Sequence, residues 1–287
     1  MAQTISGMSR GMRITHMPLL VWGLWGCNSG KSVIDGLGPQ DDARLISDVY
    51  TWGCDAQGDG YDGVYSQTVT LEYAPDALTE LSLPSAGGCS VDLDMFPASA
   101  GSGGDELPDI SGEPTWATDS DNGTLTSIES GFWKDEIGGD YHGCQSVVEV
   151  LSGGTVLGNA GVLEGVKGPE ASSMPDVNFY GEDDDEIDEV AWGDEITVEW
   201  DENDWDNVWI QLRREREDIA WESITCNVTG DDSFSITETI WDLLDESLIV
   251  DQNNIYVGFE TTREAKTDDG LRVETLTRAL AVMSVDE

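Results

Sequence analysis

Basic residues are scarce in this chain. Its 287 residues include 13 Lys and Arg against 58 Asp and Glu, a formal charge of −45. A field of that sign repels nucleic acid and anionic lipid, attracts cations and favours solubility, which excludes a nucleic-acid-binding role. Histidine is nearly missing, with two in the chain. Downstream of Cys27 a His-based triad would have to use His142. That part of the chain also lacks a Gly-x-Ser-x-Gly elbow, a phosphate-cradling glycine loop and any Cys-x-x-Cys or His-x-x-x-His spacing. Long hydrophobic runs are missing too. The apolar run Met17–Trp25 holds nine residues, well short of the roughly 20 that a spanning helix needs. What the chain does have is aromatic and alternating. Its 11 tryptophans and its period-two apolar patterns exclude disorder, despite the charge.

The amino terminus is ordered as a secretory signal: Arg10, Arg13 and His16, then the apolar run from Met17, then Gly26-Cys27 and a polar stretch, Asn28-Ser29-Gly30-Lys31-Ser32. Leu24-Trp25-Gly26-Cys27 resembles the lipobox of bacterial lipoproteins, with Trp25 in place of the usual small residue. The resemblance implies cleavage before Cys27 and acylation of its thiol and new amine. It also implies, from Asn28 in place of Asp, sorting to the outer membrane. Residues 1–26 are then the signal peptide and 27–44 a lipidated cysteine with a flexible tether. Removing Arg10 and Arg13 leaves 11 − 58 = −47 charges on the mature chain.

About 240 residues remain for folding, enough for one large or two medium domains. The segment 166–176, with Pro169 and Pro175 and no periodicity, reads as a linker between domains at 45–165 and 177–287. In the first domain, Leu45–Cys54 and Tyr65–Tyr73 alternate, as do Cys89–Met95 and Cys144–Leu151, and 97–123 reads as loop. In the second, alternation over 196–200, 208–212, 224–228, 234–236, 255–259 and 276–285 predicts a series of strands, with one helical turn over 240–244. The expected class is all-β: two tandem β-sandwiches, the second resembling an immunoglobulin or fibronectin-III domain without its paired cysteines.

The five cysteines divide by role. With Cys27 taken by lipid, export leaves Cys54, Cys89, Cys144 and Cys226 in an oxidising compartment. A Cys54–Cys144 disulfide is expected, with Cys226 a buried free thiol between Ile224 and Val228. His142-Gly143-Cys144 puts two reactive side chains on one side of an extended chain but has no supporting residues nearby.

Calcium is the cofactor the acidic loops point to. Asp55-x-Gln57-x-Asp59-Gly60 followed by Asp62 resembles the first half of an EF-hand or dockerin loop, departing from it at Gln57 and at the closing position, where Ser66 stands. Asp201, Asn203, Asp204 and Asp206 surround Trp205 in a second acidic loop, similar to the calcium motif of cadherin linkers. Trp200 falls in the inward register. Trp205, in a loop, and Trp209, on the opposite face, are expected to pack against the other domain or under a long loop. Only if exposed would they serve as the rings on which carbohydrate-binding modules stack sugars. Arg213, Arg214 and Arg216 form the basic cluster and are expected to pair at the surface with Glu215 and Glu217. The sequence thus predicts a lipid-anchored envelope protein acting as a binding or structural module, touching the membrane only through its anchor. An envelope protein or polysaccharide is the expected partner. Two alternatives stand beside it, a carbohydrate-binding module using Trp205 and Trp209 and a secreted hydrolase using paired carboxylates.

Overall fold

Period-two runs become strands over most of the chain. The computed structural model describes residues 42–53, 64–73, 83–91, 93, 95–96, 113–129, 131–143, 147–171, 174–183, 185–187, 189–201, 204–216, 219–244 and 251–286. They lie within one compact unit, Gly38–Glu287. In chain order the strands are β1 (Asp42–Trp52), β2 (Val64–Tyr73), β3 (Cys89–Val91), β4 (Thr115–Ala117), β5 (Asn122–Thr124), β6 (Thr126–Glu129), β7 (Phe132–Gly143), β8 (Val156–Gly158), β9 (Val177–Tyr180), β10 (Val190–Ala191), β11 (Ile196–Trp200), β12 (Asn207–Arg216), β13 (Ile219–Asn227), β14 (Ser233–Ile236), β15 (Gln252–Lys266) and β16 (Arg272–Asp286). Two short helices interrupt them, α1 (Val147–Gly153) and α2 (Glu238–Trp241). Among the described residues no helix is long and apolar enough to cross a membrane.

One ten-stranded sheet carries the architecture, in the order β3-β13-β12-β15-β16-β1-β2-β7-β6, with β10 continuing the edge of β16 beyond the end of β1. Two three-stranded sheets, β14-β11-β9 and β5-β4-β8, complete it. Both small sheets pack on the same face of the large one. Phe179, Ile196, Val198 and Ile236 meet Val208, Ile210, Val257 and Phe259 in one core. Trp116 and Leu157 meet Leu45, Leu71, Val69 and Val273 in another. The result is two sandwiches side by side, fused through a continuous sheet.

The segments expected as two domains, 45–165 and 177–287, both contribute strands to this sheet. β1, the first strand, pairs in parallel with β16, the last, from Asp42↔Arg272 to Thr51↔Ala281. Alternation reports that a segment is a strand and which face it buries; it carries no information on its partner. The expected linker is likewise built into the fold. Val166, Ala171 and Met174 are buried, the Leu157 N–H donates to the Val166 carbonyl, and the Thr277 hydroxyl donates to the Pro169 carbonyl at 2.7 Å.

A second difference is α1. Val147, Val150 and Leu151 alternate poorly but fall at i, i+3 and i+4, so the helical period buries all three where an extended chain would not. Helix α2 overlaps the turn expected over 240–244, and Trp241 anchors it by donating its indole N–H to the Asp194 carbonyl at 2.7 Å. The loop expected over 97–123 contains β4 and begins β5. Of the alternation expected over Cys89–Met95, only Cys89–Val91 is strand.

The opposite face of the large sheet is covered differently. The segment from Leu83 to Phe96 lies across it as a strap. Asn227 Nδ2 donates to the Pro84 carbonyl at 2.7 Å. The Leu93 carbonyl accepts from Gln211 Nε2 at 2.8 Å and Thr225 Oγ1 at 2.6 Å, and the Met95 carbonyl accepts from Arg278 Nη1. Met95 and Phe96 close a third core with Trp209, Tyr256, Leu280 and Val282. Phe96 stands edge-on to Tyr256, with centroids 4.9 Å apart, and the Arg213 guanidinium sits over its other side at 4.6 Å. A disulfide locks the strap at the sheet edge. Cys89 of β3 faces Cys226 of β13, so Cys226 is bonded and not the free thiol expected. It is buried, as its neighbours Ile224 and Val228 imply, but its partner lies 137 residues away in sequence.

Candidate functional site

Ionisable groups concentrate on the strap face. Register places Asn207, Glu260, Arg278, Asp48, Thr68 and Glu136 side by side in one row across β12, β15, β16, β1, β2 and β7. Arg278 has no exposed surface and holds Asp48 with two nitrogens, Nε to Oδ1 at 2.6 Å and Nη2 to Oδ2 at 2.8 Å. Burial acts against the Arg278 charge. The Asp48 carboxylate and its hydrogen bonds outweigh that effect and hold the guanidinium protonated.

Glu260 is the exception in the row. Its Oε1 accepts from Asn207 Nδ2 at 3.1 Å, while Oε2 is buried with no hydrogen-bond partner. Desolvation raises its pKa above the ordinary carboxylate value, against the pull of Arg278. Two rungs away, Arg44 donates Nε to Glu274 Oε2 at 2.7 Å and lies 3.7 Å from Glu72. Burial raises the Glu72 pKa too, with Arg44 opposing. Asp48, Glu72 and Glu260 are all under a tenth exposed. Chemically Glu260, Arg278 and Asp48 are an interior charge ladder across β15, β16 and β1, and the row reaches the surface at Glu136.

The basic cluster belongs partly to the same interior. Arg213 pairs with Glu215 at 2.8 Å, and the Tyr256 hydroxyl donates to the same Glu215 oxygen. Arg214 is buried, donates to Asn253 at 3.0 Å and lies over the Trp192 ring at 4.6 Å. The expectation of weak surface pairs is corrected at both positions, because both side chains project from a central strand. The side chain of Arg216, and Glu217, lie outside the described residues.

Of the two tryptophans that the carbohydrate alternative would expose, Trp209 is buried and Trp205 half-buried. Trp209 has no exposed area and lies flat against Gly258 across the β12–β15 pair; a Cβ at 258 would fall inside the indole. The strap, which sequence periodicity does not reveal, turns its side of the strand into core. Trp205 is half-buried and packs on Phe259, with ring centroids 6.3 Å apart. Trp200 is buried as expected and donates its indole N–H to the Asp231 carbonyl at 3.1 Å.

The two calcium candidates separate. Asp55, Gln57, Asp59 and Asp62 lie outside the described residues, as do Asn203, Cys27, Cys54 and Cys144. Asp201, Asp204 and Asp206 are exposed. Asp206 Oδ2 is engaged, accepting from Thr261 Oγ1 at 2.8 Å and from the Thr262 N–H at 3.0 Å. Among the described residues no group of three or more His, Cys, Asp or Glu stands close enough to hold a metal ion. His142 is on β7 opposite Tyr65, its side chain outside the described set.

An open polar surface remains on the outer side of β9-β11-β14. Inward positions on these strands (Phe179, Ile196, Val198, Trp200, Ile236) are core. The alternate positions form two register rows, Asn178–Glu199–Ser233 and Tyr180–Thr197–Ser235. A concavity of about 330 Å³ opens here, bordered also by Asp201 and Asp232. Residue by residue the sequence contained this face, since each member alternates with a core residue. No motif marked it.

No family model matches the chain, and neither a curated protein nor a solved structure matches it.

Proposed function

We propose that the chain is an exported lipoprotein, held at the outer membrane by lipid on Cys27, whose fused sandwiches serve as a binding or structural module. The observation that carries this reading is Leu24-Trp25-Gly26-Cys27 closing a nine-residue apolar run behind Arg10 and Arg13. The Cys89–Cys226 disulfide supports it, because such bonds persist in oxidising, extracytoplasmic compartments. The interior supports a module over a hydrolase, since Asp48, Glu72 and Glu215, three carboxylates paired with arginines, are under a tenth exposed.

We further infer that residues 177–287 form an immunoglobulin-like sandwich. Strands β9, β11 and β14 make one sheet, and β13, β12, β15 and β16 the facing one. With β10 beside β16, this arrangement is that of the A-B-E and C′-C-F-G sheets of fibronectin-III-like domains. Such folds host many functions, so the inference fixes architecture and leaves the ligand to the surface.

The test is mass spectrometry of the mature amino terminus together with subcellular fractionation. The expected species begins at Cys27, carries acyl chains and sediments with outer membrane. An unmodified terminus elsewhere would remove the anchor.

A further inference from the structure

We propose that the outer face of β9-β11-β14 binds an uncharged polyhydroxylated ligand, a saccharide chain, through Asn178, Tyr180, Glu199 and Ser233. The inference deepens the binding-module reading and rests on it. It moves the saccharide site away from Trp209, which the fold consumes as core, and from Trp205, half-buried against Phe259.

The outer faces of both small sheets are poor in charge. On β5-β4-β8 the two register rows, Thr124–Thr115–Gly158 and Asn122–Ala117–Val156, carry none and present neither a carboxylate nor an aromatic ring, whereas β9-β11-β14 presents both. In a chain with 58 acidic residues, most exposed positions that alternate with core are expected to be carboxylates. Here five of the six positions in the two central register rows are uncharged: Asn178, Ser233, Tyr180, Thr197 and Ser235, with Glu199 the sixth. Their groups are amides and hydroxyls, each able to donate and accept, and Glu199 supplies an acceptor. A sugar ring presents the complementary set, hydroxyls that donate to a carboxylate and accept from an amide. The half-buried Tyr180 adds an aromatic surface with a polar tip, suited to a ligand with apolar C–H faces and polar edges.

Shape and charge narrow the ligand further. The concavity of about 330 Å³ is at the small end of the volumes that hold a small-molecule group. It is open to solvent. Glu199, Asp201 and Asp232 repel a phosphate, sulfate or uronate. The carboxylates are also too dispersed for a metal ion, since no group of three among the described residues is close enough to hold one. The floor is rigid. Val198 and Trp200 between the ligand-facing positions are buried, and the Thr197 and Ser235 hydroxyls are hydrogen-bonded at 3.2 Å.

The test uses the full chain in detergent, with three neutral probes (β-1,4-glucan, β-1,4-linked N-acetylglucosamine hexamer and α-1,4-glucan) and decalysine as a cationic comparator, read by calorimetry. Wild type is expected to bind at least one neutral glycan. Tyr180→Ala and Asn178→Ala are each expected to weaken that binding about tenfold, the loss of one to two hydrogen bonds with their packing. Leu243→Ala, at an exposed apolar residue in the turn after α2, serves as the control and leaves binding unchanged. Circular dichroism verifies that each variant is folded. Binding that survives both face variants overturns the proposal, as does the absence of binding to all three glycans at millimolar concentration. Binding to decalysine alone, lost in Glu199→Gln, also overturns it and assigns the face to a cationic partner. Failure here with an acylated Cys27 sinks the saccharide and leaves the anchored module intact. Retention on glycan with an unacylated terminus does the reverse.

Discussion

Arg278 grips Asp48 with two nitrogens across the parallel pair β1–β16, joining residues 230 positions apart in sequence. This contact sits where the two sandwiches fuse, and it is fully enclosed. A buried pair is worth little against a well-packed apolar replacement, but removing one partner strands the other charge. Asp48→Leu or Arg278→Met should therefore each cost about 3–5 kcal/mol in urea unfolding. The double variant Asp48→Leu/Arg278→Met should cost less than the sum. Additive losses would show that the two residues do not act as a pair.

Trp209 and Gly258 make the second test. The indole lies flat on the glycine across β12 and β15. A methyl there forces the ring or a central strand to move, the overpacking that costs about 1–3 kcal/mol or more. Gly258→Ala is expected to lower the melting temperature by several degrees. The same substitution at Gly193, which meets nothing within 4 Å but has a φ of +89°, should cost about 1 kcal/mol through backbone strain alone. Equal effects at the two sites would remove the steric account of Gly258.

How far the sequence disclosed these features follows from what periodicity can encode. Val198 and Trp200, or Val208 and Ile210, announce strand and inward face together, and these positions are core. Trp209 could not be placed that way. Its face is decided by the strap, and a segment such as Leu83–Phe96, pinned by side chains from four strands, alternates over Cys89–Met95 like any strand and carries no sign that it crosses a sheet face. Nor could alternation show that β16 would lie beside β1. Cys226 reads as buried from Ile224 and Val228, yet its bond to Cys89 depends on which strand takes the sheet edge. The outer face of β9-β11-β14 was visible only as the polar half of each alternation, with no spacing to join its three strands.

The disulfide bears on stability through the chain it closes. Cys89 and Cys226 are 137 residues apart, and cross-linking so long a segment removes about 5 kcal/mol of unfolded-state entropy by loop-closure arithmetic, with about 2–5 kcal/mol usual on removing a native bond. Replacing both cysteines by Ala is expected to lower unfolding free energy within that range, and added dithiol should then have a smaller effect than on wild type. A reductant response equal in both proteins would show that the bond contributes nothing measurable.

Glu260 gives the fold a pH dependence opposite to that of a salt-bridged carboxylate. Its pKa is raised in the folded state by burial, so the native protein binds this proton more tightly than the unfolded chain does. The stability it contributes is complete below the unfolded value of about 4.3 and is lost as pH rises through the folded pKa. At neutral pH the group is a liability, since ionising it leaves Oε2 buried and unpartnered. Glu260→Gln keeps the shape and an acceptor for Asn207 Nδ2 while removing the titration. The variant should match wild type in urea unfolding near pH 4 and exceed it increasingly as pH rises above the unfolded value, the gap levelling off once pH passes the folded pKa. Repulsion among the other carboxylates acts on both proteins and cancels in the comparison. A difference independent of pH would assign the effect to packing, and a variant less stable at pH 8 would show that the Glu260 charge is compensated by Arg278 after all.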